Sequence, residues 1–182
     1  MGRRNLDFAA LEDIHSIKRQ IDPYRGHKDI KTGGQNIKLG PGGIREIEFF
    51  AQTQQLIRGG RDPELRVSAT CEALAVLCEK GHITAQTRDG LVAAYAFLRR
   101  VEHRLQMVDD RQTHTIPEET ENWHALATFL GYDEAQQFES ELHAHLTFVS
   151  TLYGELFSES PALGGPGNLV FTGGEDDPAT RA

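Results

Sequence analysis

Apolar residues recur every three or four positions through nearly the whole chain, and the alternation of a half-buried strand is almost absent. That pattern leaves room for helices and little else. Leu6, Leu11, Ile14, Ile17 and Ile21 mark a first helix over residues 5–22, which Pro23 stops. Residues 24–43, YRGHKDIKTGGQNIKLGPGG, are rich in glycine and lysine and predict an exposed link. A helix from Ile44 to Arg58 follows, closed by Gly59 and Gly60. Another is expected from Pro63 to Lys80, with Val67, Cys71, Leu74 and Cys78 on one face and Gly81 behind it.

The longest candidate runs from Thr84 to Val108 on a stripe of Leu91, Tyr95, Leu98, Val101, Leu105 and Val108. Arg99, Glu102, His103 and Gln106 flank that stripe. After the loop DDRQTHTIPEET comes a short helix over Trp123–Leu130, closed by Gly131. Asp133 is then the expected N-cap of a last long helix carrying Phe138, Leu142, Leu146, Val149, Leu152, Tyr153 and Leu156. Together these segments predict an all-α bundle of five or six helices over residues 1–158. Residues 159–182 are acidic and rich in glycine and proline, and read as a linker or tail, with Leu169, Val170 and Phe171 able to dock on the body. A chain that opens directly into a helix and closes in a linker is expected to be a piece of something larger.

The formal charge of −8, with no lysine-rich stripe to offset it, argues against a nucleic-acid partner. Arg3-Arg4 and Arg99-Arg100 are isolated pairs. No apolar run approaches the roughly 20 residues of a membrane span, and the N-terminus has no apolar signal core. Leu6 stands where a myristoylation signal has Ser or Thr. A cytoplasmic protein without a membrane partner is the expectation. Cys71 and Cys78 sit on one predicted helix roughly 10 Å apart, too far for a bridge, and read as buried reduced thiols.

KLGPGGIREIEFF, residues 38–50, concentrates the chemistry. On a helical wheel Ile44, Ile47, Phe49, Phe50, Ala51, Leu56 and Ile57 surround most of the circumference, while Arg45, Glu48, Gln52 and Gln55 fall in one polar stripe about 80° wide. Glu46 lies outside that stripe, beside Thr53. A polar seam on a mostly buried helix needs partners, because unpaired buried charge costs several kcal/mol. An internal Arg45–Glu48 pair with glutamine contacts is one reading. The other adds the loop: Gly42 and Gly43 would leave backbone N–H groups free at a helix N-terminus, a favourable place for phosphate, with Lys38 and Arg45 on either side.

The remaining constellations are weaker. His143 and His145 point to different helix faces and cannot share an ion. His103 with Glu102 or Arg99 reads as a structural polar pair. Asp109-Asp110 and Asp176-Asp177 are adjacent, the wrong spacing for the Asp-x-Asp metal pair of a nucleotidyltransferase.

IKLGPGGIREIEFFAQTQQLIRGGRDPELR and LRRVEHRLQMVDDRQTHTIP resemble the helical region of the bifunctional glutamine synthetase adenylyltransferase/adenylyl-removing enzymes, over about residues 5–158. GPGGIREIEF is more similar to the region after the first, adenylyl-removing nucleotidyltransferase domain than to that after the second. A related helical region occurs in the uridylyltransferase that modifies the PII signalling protein. The resemblance implies a place in nitrogen regulation: AMP from ATP is attached to a tyrosine of glutamine synthetase and removed by phosphorolysis, with PII as a further partner. It also implies Mg²⁺ and ATP held mainly by a separate nucleotidyltransferase domain, whose carboxylates this sequence lacks. The chain is therefore expected to be inactive alone, with no catalytic or metal-binding residue of its own. Lys38, Gly42, Gly43 and Arg45 would line the cleft and bind phosphate, with Glu48 orienting Arg45. Arg58 and Arg61 would contact the protein substrate. A stand-alone helical interaction module, or the equivalent region of the PII uridylyltransferase, is the alternative.

Overall fold

The computed structural model describes residues 30–109 and 113–158. Five α-helices are described: α1 (Ile44–Arg58), α2 (Thr70–Glu79), α3 (Ala85–Asp109), α4 (Thr120–Phe129) and α5 (Ala135–Ser158), with a 3-10 turn at Pro63–Leu65. The fold is all-α, as the periodicity predicts. The expected first helix and the expected tail lie outside the described residues.

Helices α1, α3 and α5 pack on one another and form the centre; α2 covers α1 and α3, and α4 covers α3 and α5. Their shared core contains Ile44 and Ile47 from α1, Leu91, Leu98 and Val101 from α3, and Phe138, Leu142 and Leu146 from α5, all essentially inaccessible. Aromatic contacts close the joints. Phe49 meets Tyr153 between α1 and α5 with ring centroids 5.9 Å apart, and Trp123 meets Phe138 between α4 and α5 at 5.0 Å. No described helix is long and apolar enough to cross a membrane.

The segment expected as one helix from Pro63 to Lys80 is broken. Gln55 Nε2 donates to the carbonyls of Leu65 and Val67, at 2.6 and 2.8 Å, and ties the non-helical stretch between the 3-10 turn and Thr70 to α1. Leu65 is fully buried in that turn, and the helix restarts at Thr70.

The link is not simply exposed either. Gln35, Ile37, Gly42 and Gly43 are buried. A short antiparallel pairing holds this segment against residues 114–116: Gly34 N–H donates to Ile116 O at 3.0 Å, Ile116 N–H to Gln35 O at 2.9 Å and Ile37 N–H to His114 O at 2.9 Å. Ile37 and Ile116 anchor both sides of it in the core.

Candidate functional site

The pairing of residues 34–37 with 114–116 carries two side chains to one place on α3. Glu102 of α3 is 4% exposed. Its Oε2 accepts a hydrogen bond from Arg99 Nη1 at 2.7 Å, one helical turn away. Lys38 Nζ lies 3.2 Å from Oε1, and His114 Nδ1 lies 3.1 Å from the same oxygen. Both contacts to Oε1 have ion-pair distance without the alignment of a hydrogen bond. Burial pushes the Glu102 carboxyl up, but the two cations beside it, Lys38 and Arg99, outweigh it, and its pKa lies below the usual carboxylate value.

A second carboxylate extends this cluster. Glu48 of α1 takes a long contact from Arg45 Nη1 at 3.5 Å and another from the Tyr95 hydroxyl at 3.4 Å. The Arg99 guanidinium stands 5.7 Å from the centre of the Tyr95 ring. Arg45, Glu48, Tyr95, Arg99, Glu102 and Lys38 thus form one continuous chain of contacts across α1, α3 and the glycine-rich loop. The acids sit inward and the cations outward: the Arg45, Arg99 and Lys38 side chains are 57%, 49% and 34% exposed, against 21% for Glu48 and 6% for Glu102. On a chain of net charge −8, the three bases and two acids of this cluster leave one formal positive charge in excess, with the bases on the outer side.

Two expectations for this stretch are corrected. The amides of Gly42 and Gly43 are not free: Gly42 donates to Glu46 Oε2 at 2.9 Å and Gly43 to Gly40 O at 3.0 Å. The next two amides, of Ile44 and Arg45, are taken by Ile37 O and Lys38 O, at 2.9 and 3.0 Å. With its first amides satisfied by the folded-back loop, the α1 N-terminus has none of these donors left for an anion. The buried acid of α1 is also not in the polar stripe. Glu46 is 4% exposed and reaches back to the loop, whereas Arg45 and Glu48 form an exposed pair.

Gly42 serves packing instead. Its φ of +74° is in the left-handed region, and an added Cβ would collide with the Leu146 backbone of α5. Arg58 and Arg61 stand at the opposite end of α1, roughly 20 Å along the axis from Arg45. Arg58 Nε donates to Gln54 Oε1 at 3.0 Å, and neither residue joins the Lys38–Arg99 face.

Sequence reasoning missed the partnership of His114 with Glu102. Its only signal was LRRVEHR: Glu102 lies four positions from Leu98 and one from Val101, inside the apolar arc of α3, where an acid needs partners. His103, which adjacency suggested as that partner, is exposed. Among the described residues no group of three or more His, Cys, Asp or Glu side chains could hold a metal. The chemistry open to this face is that of fixed positive charge.

Residues 15–157 match the model of the family described as GlnD PII-uridylyltransferase. The chain belongs to that family. Among its relatives this GlnD-type helical chain is 54% identical over 98% of its length to the bifunctional glutamine synthetase adenylyltransferase/adenylyl-removing enzyme of Brucella suis biovar 1 (strain 1330). It is 55% identical over 98% of its length to the enzyme of that name from Agrobacterium fabrum (strain C58), and 50% identical over 96% to that of Rhodopseudomonas palustris (strain HaA2). The chain spans 18% of the length of each of these relatives. The resemblance carried by the GPGGIREIEF and LRRVEHRLQ stretches therefore extends over almost the whole chain.

Proposed function

We propose that this chain forms the helical wall of a nucleotidyltransferase cleft in an enzyme that attaches AMP to glutamine synthetase and removes it, and that Lys38, Arg45 and Arg99 meet phosphate groups there. The observation that carries this reading is the set of three cations, Arg45 and Arg99 exposed and Lys38 half-buried, tied to Glu48 and Glu102 across two helices and a loop. In phosphorolysis an oxygen of inorganic phosphate bonds to the phosphorus of the tyrosyl-AMP. The bond to the tyrosine oxygen breaks, the tyrosine takes a proton, and ADP leaves. Negative charge gathers on the phosphoryl oxygens, and cations fixed beforehand stabilise it without reorganising.

ATP and Mg²⁺ belong, on this reading, to the separate nucleotidyltransferase domain. Glutamine synthetase is the proposed protein substrate and the PII protein a proposed regulatory partner. Arg58 and Arg61 are proposed contacts for the substrate, being basic and at the other end of α1. The family description favours a second reading, the equivalent region of a PII uridylyltransferase. Identity of 50–55% to the adenylyltransferases over most of the chain favours the first.

The test is Arg45→Met in the full-length enzyme. Phosphorolysis of adenylylated glutamine synthetase should fall about 10²-fold, as when one transition-state donor is removed. Unchanged turnover would overturn the reading.

A further inference from the structure

Glu102 has a role that the cationic face by itself does not explain. A carboxylate beside two cations ordinarily weakens their hold on an anion, because it competes for the same charge. Here the carboxylate is buried, while the two cations it binds remain 34% and 49% exposed. Lys38 comes from the loop and Arg99 from α3, so a single acid ties together two cations with no backbone in common. Each long side chain otherwise loses rotamer freedom whenever it closes on a ligand.

We propose that Glu102 is a positioning residue for phosphate recognition, holding Lys38 and Arg99 with their charged ends turned outward so that both engage one phosphate-bearing ligand. Glu102 itself touches no ligand. His114, brought to the same oxygen by the pairing with residues 34–37, walls the carboxylate in and keeps it on the inner side of the two cations. This rests on the reading of the cationic face as a phosphate site and adds the residue that organises it.

Two substitutions separate positioning from charge. Glu102→Gln removes a negative charge, so electrostatics alone makes phosphate bind more tightly; positioning makes it bind more weakly. Glu102→Asp keeps the charge but withdraws the carboxylate by one methylene, so charge alone leaves affinity unchanged while positioning again weakens it. The chain is titrated with inorganic phosphate and, in a second arm, with AMP, following the Arg99 Nε–H signal by NMR. The expected result is saturable binding of at least one probe by the unaltered chain, and about tenfold weaker binding in Glu102→Gln, the loss of one charge-assisted contact. Glu102→Asp should be weaker in the same direction, and both variants should lose the slow guanidinium rotation of Arg99. Binding by the unaltered chain, with affinity equal or higher in a folded variant, overturns the positioning role and leaves the phosphate site standing. No binding of either probe by the unaltered chain overturns the site and this inference with it.

Discussion

Gly42 donates its backbone N–H to Glu46 Oε2 across 2.9 Å, and both residues are buried. The contact closes the loop onto the first turn of α1, as an N-terminal capping carboxylate does. It also ranks the three charges of IREIE. Glu46→Gln should destabilise the chain by about 1–3 kcal/mol, because a buried donor loses its charged partner. Arg45→Met should cost less than about 1 kcal/mol, since the Arg45–Glu48 pair is long and exposed. Urea denaturation of both variants gives the comparison, and the reverse ranking would refute the assignment.

Gly42 and Gly60 lie on either side of the same helix and should respond in opposite ways to an added methyl group. Gly42 has φ +74° and faces the Leu146 backbone, whereas a Cβ at Gly60 meets nothing within 4 Å. Gly42→Ala should cost about 2 kcal/mol or more, from left-handed strain plus the collision. Gly60→Ala should stay within about 0.5 kcal/mol. Melting temperatures decide it.

Within α1, Ile47 and Leu56 looked equivalent on the helical wheel but differ in the fold, at 0% and 54% exposure. Ile47→Ala should cost about 2–5 kcal/mol through lost burial and a cavity. Leu56→Ala should cost under about 1 kcal/mol. Equal losses would mean that the far end of α1 is covered in solution.

Acid should weaken the fold in two stages. Burial against Phe97 pushes the His145 imidazole below its usual 6.5, with Glu141 opposing this and Arg100 reinforcing it. Its folded pKa is depressed, so the unfolded chain takes up the proton first. Stability is full above 6.5 and falls as pH drops from there through the lower folded value. Glu102 is likewise depressed, so its contribution is complete above 4.5 and is lost as pH falls through its folded value. His145→Gln should flatten the first stage and leave the second. A stability profile between pH 7 and 5, about the range of histidine titration, that the substitution leaves unchanged would contradict this assignment.

The helices were legible because their signal is local. Leu91, Leu98 and Val101, or Phe138, Leu142 and Leu146, repeat at the helical spacing whatever surrounds them, and α1 begins and ends where Gly43 and Gly59 indicate. The break before Thr70 was not legible, because the non-helical stretch there is tied down through two carbonyls by Gln55, a residue of another helix. The site divides in the same way. Lys38, Arg45 and Glu48 could be named from sequence, since a basic, glycine-flanked helix start announces itself. What those glycines do could not: loop closure consumes their amides, and Gly42 is needed where α5 approaches. The grouping of Lys38, Arg99 and His114 around Glu102 arises only when residues 34–37 pair with 114–116 over the core. Periodicity encodes which face of each helix is buried, because that face follows from neighbouring residues alone. Which charges meet at Glu102 is decided by tertiary closure, which joins segments that share no local signal.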